Sequence, residues 1–219
     1  MVYPGVAIRE EDEEVLRKVI AGLNFIADLT KADAFVYYPL SAVDAAVVLA
    51  HAKPRSISPL YQEDLAGRRV YRAERPLVFR ALKRPGYWRT QGELLGSDAP
   101  VIEETFSIIE RSGRVIGALS FESNLLEYER RRRRSQVFQI ALHYLHQMAR
   151  RGLLDKTRTF YPVTEQDGIL VVDDQKVIRY VSGVAANLYR KLGILRDLRE
   201  ASISRLPDSD RQMLEAALG

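Results

Sequence analysis

The sequence predicts an α+β fold in which an antiparallel sheet is flanked by long N- and C-terminal helices, with a smaller unit behind it. Three observations carry that prediction. Residues 9–30 and 126–153 repeat apolar side chains at helical spacing, and two pairs of short apolar strands lie between them. The third is length: 219 residues without a cysteine leave ample chain for a core built from apolar packing alone.

The first helical stretch runs from Arg9 to Thr30, with Val15, Leu16, Val19, Ile20, Leu23, Ile26 and Ala27 at three- and four-residue spacing. Glu10 to Glu14 crowd its first turns, where carboxylates favour the positive end of the helix dipole. Ala34 to Tyr38 then reads as a strand and Ala46 to His51 as its partner, joined through Leu40 to Asp44. Residues 53–100 carry prolines at 54, 59, 76, 85 and 100 and glycines at 67, 86, 92 and 96, which break any long element. Within them Pro76 to Leu82 suits a short helix with proline in its first turn. The rest, rich in aromatic residues, reads as a long ordered loop of the kind that covers a binding site.

Glu104 to Glu110 and Arg114 to Glu122 flank Arg111-Ser112-Gly113, a hairpin with its glycine in the turn. A helix over Leu126 to Leu153 follows, closed at Gly152 and about 40 Å long at 1.5 Å per residue. Val137, Ile140, Ala141, Tyr144, Leu145 and Met148 form its apolar stripe. An overhanging stripe of this kind predicts a second copy of the same helix as partner, and so a homodimer. A polar stretch, Lys156 to Gln166, separates domain 1–155 from a unit at 156–219. There Gly168 to Asp173 and Lys176 to Val181 read as strands about an Asp174-Gln175 turn. Val184 to Leu192 is a helix stopped by Gly193, and Asp208 caps a last helix to Leu218. Two strands and two helices make this unit look like part of a domain.

The absence of cysteine excludes disulfide scaffolds, cysteine nucleophiles, iron–sulfur clusters and thiolate zinc sites. The opening Met-Val-Tyr-Pro-Gly lacks the features of a signal peptide, and the run Ala45 to Ala50 falls far short of the roughly 20 residues a bilayer needs. The expectation is a soluble cytoplasmic protein that does not engage membranes. A net charge of +4, from 33 basic and 29 acidic residues, is too small to mark a nucleic-acid binder. Its local source is Arg130 to Arg134. Read functionally, those arginines contact a phosphate backbone; read structurally, they are solvated and pair with the acidic first helix. The second reading is preferred, because no recognised nucleic-acid motif accompanies them.

His143 and His146, three apart on a helix, have the spacing of metal ligands but lack a third ligand nearby, and two ordinary helix histidines are preferred. Gly96-Ser97-Asp98 is not a nucleophile elbow, and no phosphate-cradling loop is present, so the chain offers no catalytic residues. Tyr37, His51, Tyr61, Tyr87 and Trp88 are the candidate walls of a small-molecule pocket between sheet and loop, or else simply the core beneath it.

An ordered series of segments then points to a family. Leu23 to Leu29, Ala50 to Arg55, Asp64 to Gly67, Glu74 to Val78 with Ala81-Leu82, and Glu103 to Leu125 together resemble the GAF-like N-terminal domain of soluble sensor histidine kinases of the PdtaS type. Asp167 to Asp173 with Val177 to Ser182 is similar to the opening of the PAS domain that follows in that family, although Ser182 stands where many PAS domains have asparagine. The resemblance implies a two-component sensory module, itself not an enzyme, with a truncated PAS part. It would control autophosphorylation of a histidine kinase whose phosphoryl group passes to a response regulator. The phosphoacceptor role does not carry over to His143 or His146. A stand-alone metabolite-binding protein and a nucleic-acid-binding module are the rival readings. The signal and any cofactor stay unnamed, with a His51-ligated haem among the options.

Overall fold

The computed structural model describes residues 8–40, 44–94, 99–110, 112–155 and 161–218. These fall into two compact units, residues 1–133 with 144–163 and residues 134–143 with 164–219. Ser97, Arg111 and the start of the polar stretch at 156–160 lie outside the described residues.

In the first unit the N-terminal helical stretch is two helices, α1 (Glu10–Ala21) and α2 (Leu23–Thr30), where the periodicity predicts one. Gly22 is the reason for the break. A Cβ there would lie 2.6 Å from Leu154 Cβ and 2.8 Å from the Leu154 carbonyl oxygen, so only glycine admits the segment after the last long helix. Lys31 ends α2 in the left-handed conformation, at φ 52°. Asp12, in the acidic first turn of α1, is buried and accepts hydrogen bonds from Arg114 (2.6 Å) and Tyr38 (3.3 Å).

The strands are β1 (Asp33–Pro39), β2 (Ala45–Ala52), β3 (Arg69–Tyr71), β4 (Tyr87–Glu93), β5 (Pro100–Ile109) and β6 (Val115–Asn124), with helix α3 (Pro76–Lys83) between β3 and β4. They form one sheet in the order β3-β2-β1-β6-β5-β4, antiparallel at every step. Both expected hairpins are present, as β1–β2 and β5–β6, with Gly113 at φ 90° in the second turn. They abut through β1 and β6. The stretch read as a loop holds two edge strands as well as α3, which has its proline at the N-terminus. In β4 exposure alternates residue by residue, but Trp88, Thr90 and Gly92 on its inner side supply too little apolar pattern to announce a strand.

Both faces of the sheet are covered. On one, Leu16, Val19, Leu23 and Ile26 of α1 and α2 pack on Val36, Leu49, Leu119 and Phe121. On the other, Tyr61, Leu65, Val78 and Phe79 pack on Phe35, Tyr37, Val48 and Ala118. Central strands buried on both sides read as near-continuous apolar runs, and β1 and β2 do.

The expected 126–153 helix is likewise two, α4 (Leu125–Arg132) and α5 (Gln136–Ala149). Asn124 caps α4 by accepting from Glu127 N, and Ser135 opens α5 by accepting from Phe138 N at 3.3 Å. A single 40 Å rod is therefore not formed. After α5 the chain turns in a Schellman motif, Leu153 N–H to Met148 O and Gly152 N–H to Ala149 O, both 3.0 Å. Gly152 takes φ 70° there.

In the second unit β7 (Leu170–Val172) and β8 (Ile178–Val181) pair antiparallel, and α6 (Gly183–Lys191) follows. Residues 200–203 add a third partner: Ile178 N–H donates to Ala201 O and Ile203 N–H to Lys176 O. Ile178, Ala185, Tyr189, Leu198, Ile203 and Leu206 make its core. Helix α7 (Asp208–Leu218) buries none of its residues, and Asp208 is its first residue rather than its cap. Ser182 caps α6 by accepting from Ala185 N, and also accepts from Ile169 N at 2.9 Å. It thus ties the strand end that the missing asparagine left in question. Ser182→Ala is expected to lower the stability of this unit by about 1–2 kcal/mol, while Ser182→Asn keeps most of it. Amide-exchange protection across α6 measures the difference, and equal protection in Ser182→Ala and wild type would remove the anchoring role.

Among the described residues no helix is long and apolar enough to cross a membrane.

Candidate functional site

The strand registers place three carboxylates side by side. Glu103 on β5 is opposite Glu122 on β6, and Glu122 is opposite Asp33 on β1. Residues directly opposite on antiparallel strands point to the same face, so the three side chains form a row across three adjacent strands, near one end of β1 and β6. All are at most 3% exposed. His51 of β2 extends the row: its Nε2 lies 3.0 Å from Asp33 Oδ1. Its Nδ1 accepts from the Leu65 N–H at 3.3 Å, which assigns the ring proton to Nε2.

Two side chains from the cover meet this row. The Tyr61 hydroxyl donates to Glu122 Oε2 at 2.5 Å. Arg75, the residue before α3, reaches Tyr61 Oη (2.7 Å), Glu122 Oε2 (3.3 Å) and the Glu93 carbonyl (3.2 Å). Its Nη2 also stands 3.0 Å from Glu122 Oε1, but off the N–H direction. Glu122 Oε1 and Arg75 Nε are therefore buried with no protein hydrogen-bond partner. Glu103 accepts from Thr105 (3.0 Å) and Ser120 (3.4 Å).

The electrostatics follow from three acids and the Arg75 guanidinium buried together. Burial pushes the Glu122 carboxyl up to about 7. Arg75 and the Tyr61 hydrogen bond oppose the shift, and the Glu103 and Asp33 charges add to it. Burial also raises Glu103. Burial works against the charge of Arg75, but Glu122 and its neighbours outweigh it and hold the guanidinium protonated. Burial, with the Glu122 charge, raises Tyr37 well above the ordinary range.

Of the five predicted pocket residues the structure gathers three. Phe35 stacks on His51 at 4.4 Å and meets the edge of Tyr61 at 5.5 Å, with Tyr37 at 6.0 Å. Trp88 packs at the margin of the same cluster. Tyr87 faces the other way, with its ring 4.6 Å from Phe106 and its hydroxyl on Glu104, so the five do not wall one cavity. Haem ligation by His51 would displace the Leu65 N–H at Nδ1 or Asp33 at Nε2. Asp33, Arg75, Glu103 and Glu122 escaped the sequence reading. Glu103 alone carries a local signal, a carboxylate set inside an otherwise apolar strand. An open cleft of about 700 Å³ lies elsewhere in this unit, between α1, the β5–β6 turn and residues 150–155, with acids and bases mixed along its walls.

The arginine run ends α4 rather than opening a long helix. Arg130 pairs with Glu127, Arg132 and Arg133 with Glu129, and Arg131 is buried on Glu104 and the Thr30 carbonyl. The partners are thus local, on β5 or at the end of α2, whereas the acidic α1 pairs with Arg114. His146 is buried between Phe106 (5.0 Å) and Phe121 (4.8 Å), while His143 is exposed. Among the described residues no three acids or histidines are arranged to hold a metal ion. Along α5, Ile140, Tyr144 and Met148 are exposed and Val137 and Ala141 partly so, whereas Leu145 packs on the core.

A family model described as histidine kinase PdtaS, GAF domain, matches residues 5–141. Among solved structures, the sensor region of a sensor histidine kinase has the same fold. Its TM-score is 0.66 at 18% identity, over 96% of this chain and 76% of that one. A transcriptional regulator from Alicyclobacillus acidocaldarius follows at TM-score 0.45 and 12% identity, over 65% of this chain and 67% of its own. An IclR-family regulator from Rhodococcus sp. gives 0.43 and 12%, over 69% and 64%. No curated protein matches the chain.

Proposed function

Since this chain belongs to the family of PdtaS-type histidine kinase GAF domains, we propose that it is the regulatory input of a cytoplasmic two-component histidine kinase. In this reading it sets the rate of histidine autophosphorylation and so the flow of phosphoryl groups to a response regulator. The family match over residues 5–141 carries the proposal. The second unit is read as the opening of a PAS-like domain, on the strength of the β7–β8 hairpin followed directly by α6. The chain functions as a homodimer through the outward side of α5. An apolar stripe exposed at Ile140, Tyr144 and Met148 favours that role, because its opposite side is already packed.

Two measurements test this. Histidine labelling of the parent kinase is expected to change when residues 1–219 are deleted; an unchanged rate would refute the regulatory role. Tyr144→Lys, on an exposed position, is expected to leave folding within about 0.5 kcal/mol of wild type. The same variant is expected to convert a sedimenting dimer to monomer. A Tyr144→Lys protein that stays dimeric would move the interface elsewhere.

A further inference from the structure

We propose that the Glu103–Glu122–Asp33–His51 row holds a proton whose loss loosens the cover over this sheet face, making the proton an input of the sensor region. The inference rests on the sensory reading and names a signal for it.

The charge count comes first. Three carboxylates stand in line across β5, β6 and β1, and one guanidinium, Arg75, faces them. His51, with Nδ1 accepting from the Leu65 N–H, is placed as the neutral ring. Among the described residues Tyr37 and Tyr61 also face the row, Asp64, on the surface, stands 3.6 Å from His51 Nδ1, and Lys53 Nζ donates to the Gln62 carbonyl of the covering loop. With every acid ionised, the row would bury two negative charges in excess. Carboxylates directly opposite one another repel, and the interior screens them poorly. A bound proton relieves this, and the described residues offer no metal-binding arrangement that would do it instead. Burial is the main cause of the upward shift of Glu122, and the Glu103 and Asp33 charges add to it.

The link to the cover is also in the geometry. Leu60 N–H donates to Asp33 Oδ2 (2.8 Å), Tyr61 to Glu122, Leu65 N–H to His51, and Arg75 to Glu122. The loop at 60–65 and the start of α3 are thus fastened to the row itself. Opening the cover would wet the row and return its carboxyls towards their ordinary affinity. The closed form therefore binds the proton more tightly than the open one, and linkage fixes the sign. Below the ordinary carboxylate range both forms are protonated and the cover is most secure. Security falls as pH rises towards 7, and it levels off once the closed form has also ionised.

The test uses the whole chain, with glutamate carboxyl carbons labelled for NMR and amide protection followed by hydrogen exchange from pH 5 to pH 8. One glutamate is expected to titrate near neutrality. Protection across 60–65 and 76–83 is expected to fall about tenfold or more between pH 5 and 7.5, the scale set by one unit of proton affinity. Glu122→Gln should hold protection level over that range. Glu103→Gln, which also removes a charge from the row, should shrink the fall. The wild-type data decide even if either variant fails to fold. Glutamates that all ionise below pH 5.5, or protection that is flat or rises with pH, would overturn the proposal. So would parent-kinase labelling indifferent to pH while protection changes. A parent that never labels on histidine refutes the sensory reading and leaves the exchange result standing.

Discussion

Arg75→Met is expected to destabilise the first unit by about 3–5 kcal/mol at pH 8, the cost of leaving a buried charge without its partner. Arg75 is 3% exposed, and among the described residues its guanidinium is the one cation against Glu122, which is fully buried. Methionine fills much of the same volume, so the loss reads charge more than cavity. Arg75 holds the Glu122 carboxyl down, so its removal lets burial raise that carboxyl further. Stability that depends on a raised carboxyl is present at low pH and lost as pH rises through the folded-state value. The penalty should therefore shrink at pH 5.5, where Glu122 is protonated in both proteins. What remains there is the loss of the bonds to Tyr61 and the Glu93 carbonyl. Urea denaturation at the two pH values checks it. A penalty below 1 kcal/mol at pH 8, or one equal at both, would mean that the pairing is not what holds Arg75 in place.

This residue also shows where sequence reading stops. Arg75 precedes a helix that Pro76 announces, inside a stretch that prolines and glycines mark as loop. Nothing local says that the side chain turns inward. The same holds for Asp33 and Glu122. Each sits at the end of a legible strand, but the pairing of β1 with β6 that makes them neighbours joins the two hairpins across most of the domain. Register within a hairpin follows from its turn, whereas register between hairpins follows from the packing of both faces. Tyr37, His51 and Tyr61 were readable as candidates because aromatic residues are conspicuous. Tyr87 misled because residue parity on an unrecognised strand decides its face. The two helix breaks were written in the chain, as Gly22 and as Ser135 three residues before Phe138. A strong apolar period masked both. The helical period reports which side faces the core, and it continues across a short interruption that leaves the inward side in place.

Phe121→Ala is the second large effect, expected to cost about 3–5 kcal/mol. Phe121 is fully buried at the sheet centre, between Phe106 (6.0 Å) and His146 (4.8 Å). Its neighbour on β6 is Glu122, whose side chain points to the opposite face, because successive residues on a strand alternate. One strand therefore presents a carboxyl group to the cover and an aromatic ring to α5 at adjacent positions. A shift of β6 that accommodates a change of charge at Glu122 must also move the seat of His146. Phe121→Leu, which keeps most of the volume, should cost far less than alanine while altering the ring contact. The two substitutions separate packing from coupling. If Phe121→Leu stays near wild-type stability but uncouples the pH response of the cover from exchange in α5 residues 144–149, β6 is the connection between the two faces. Equal exchange behaviour in Phe121→Leu and wild type would assign Phe121 to packing alone and leave the route between the faces to the helices that border the sheet.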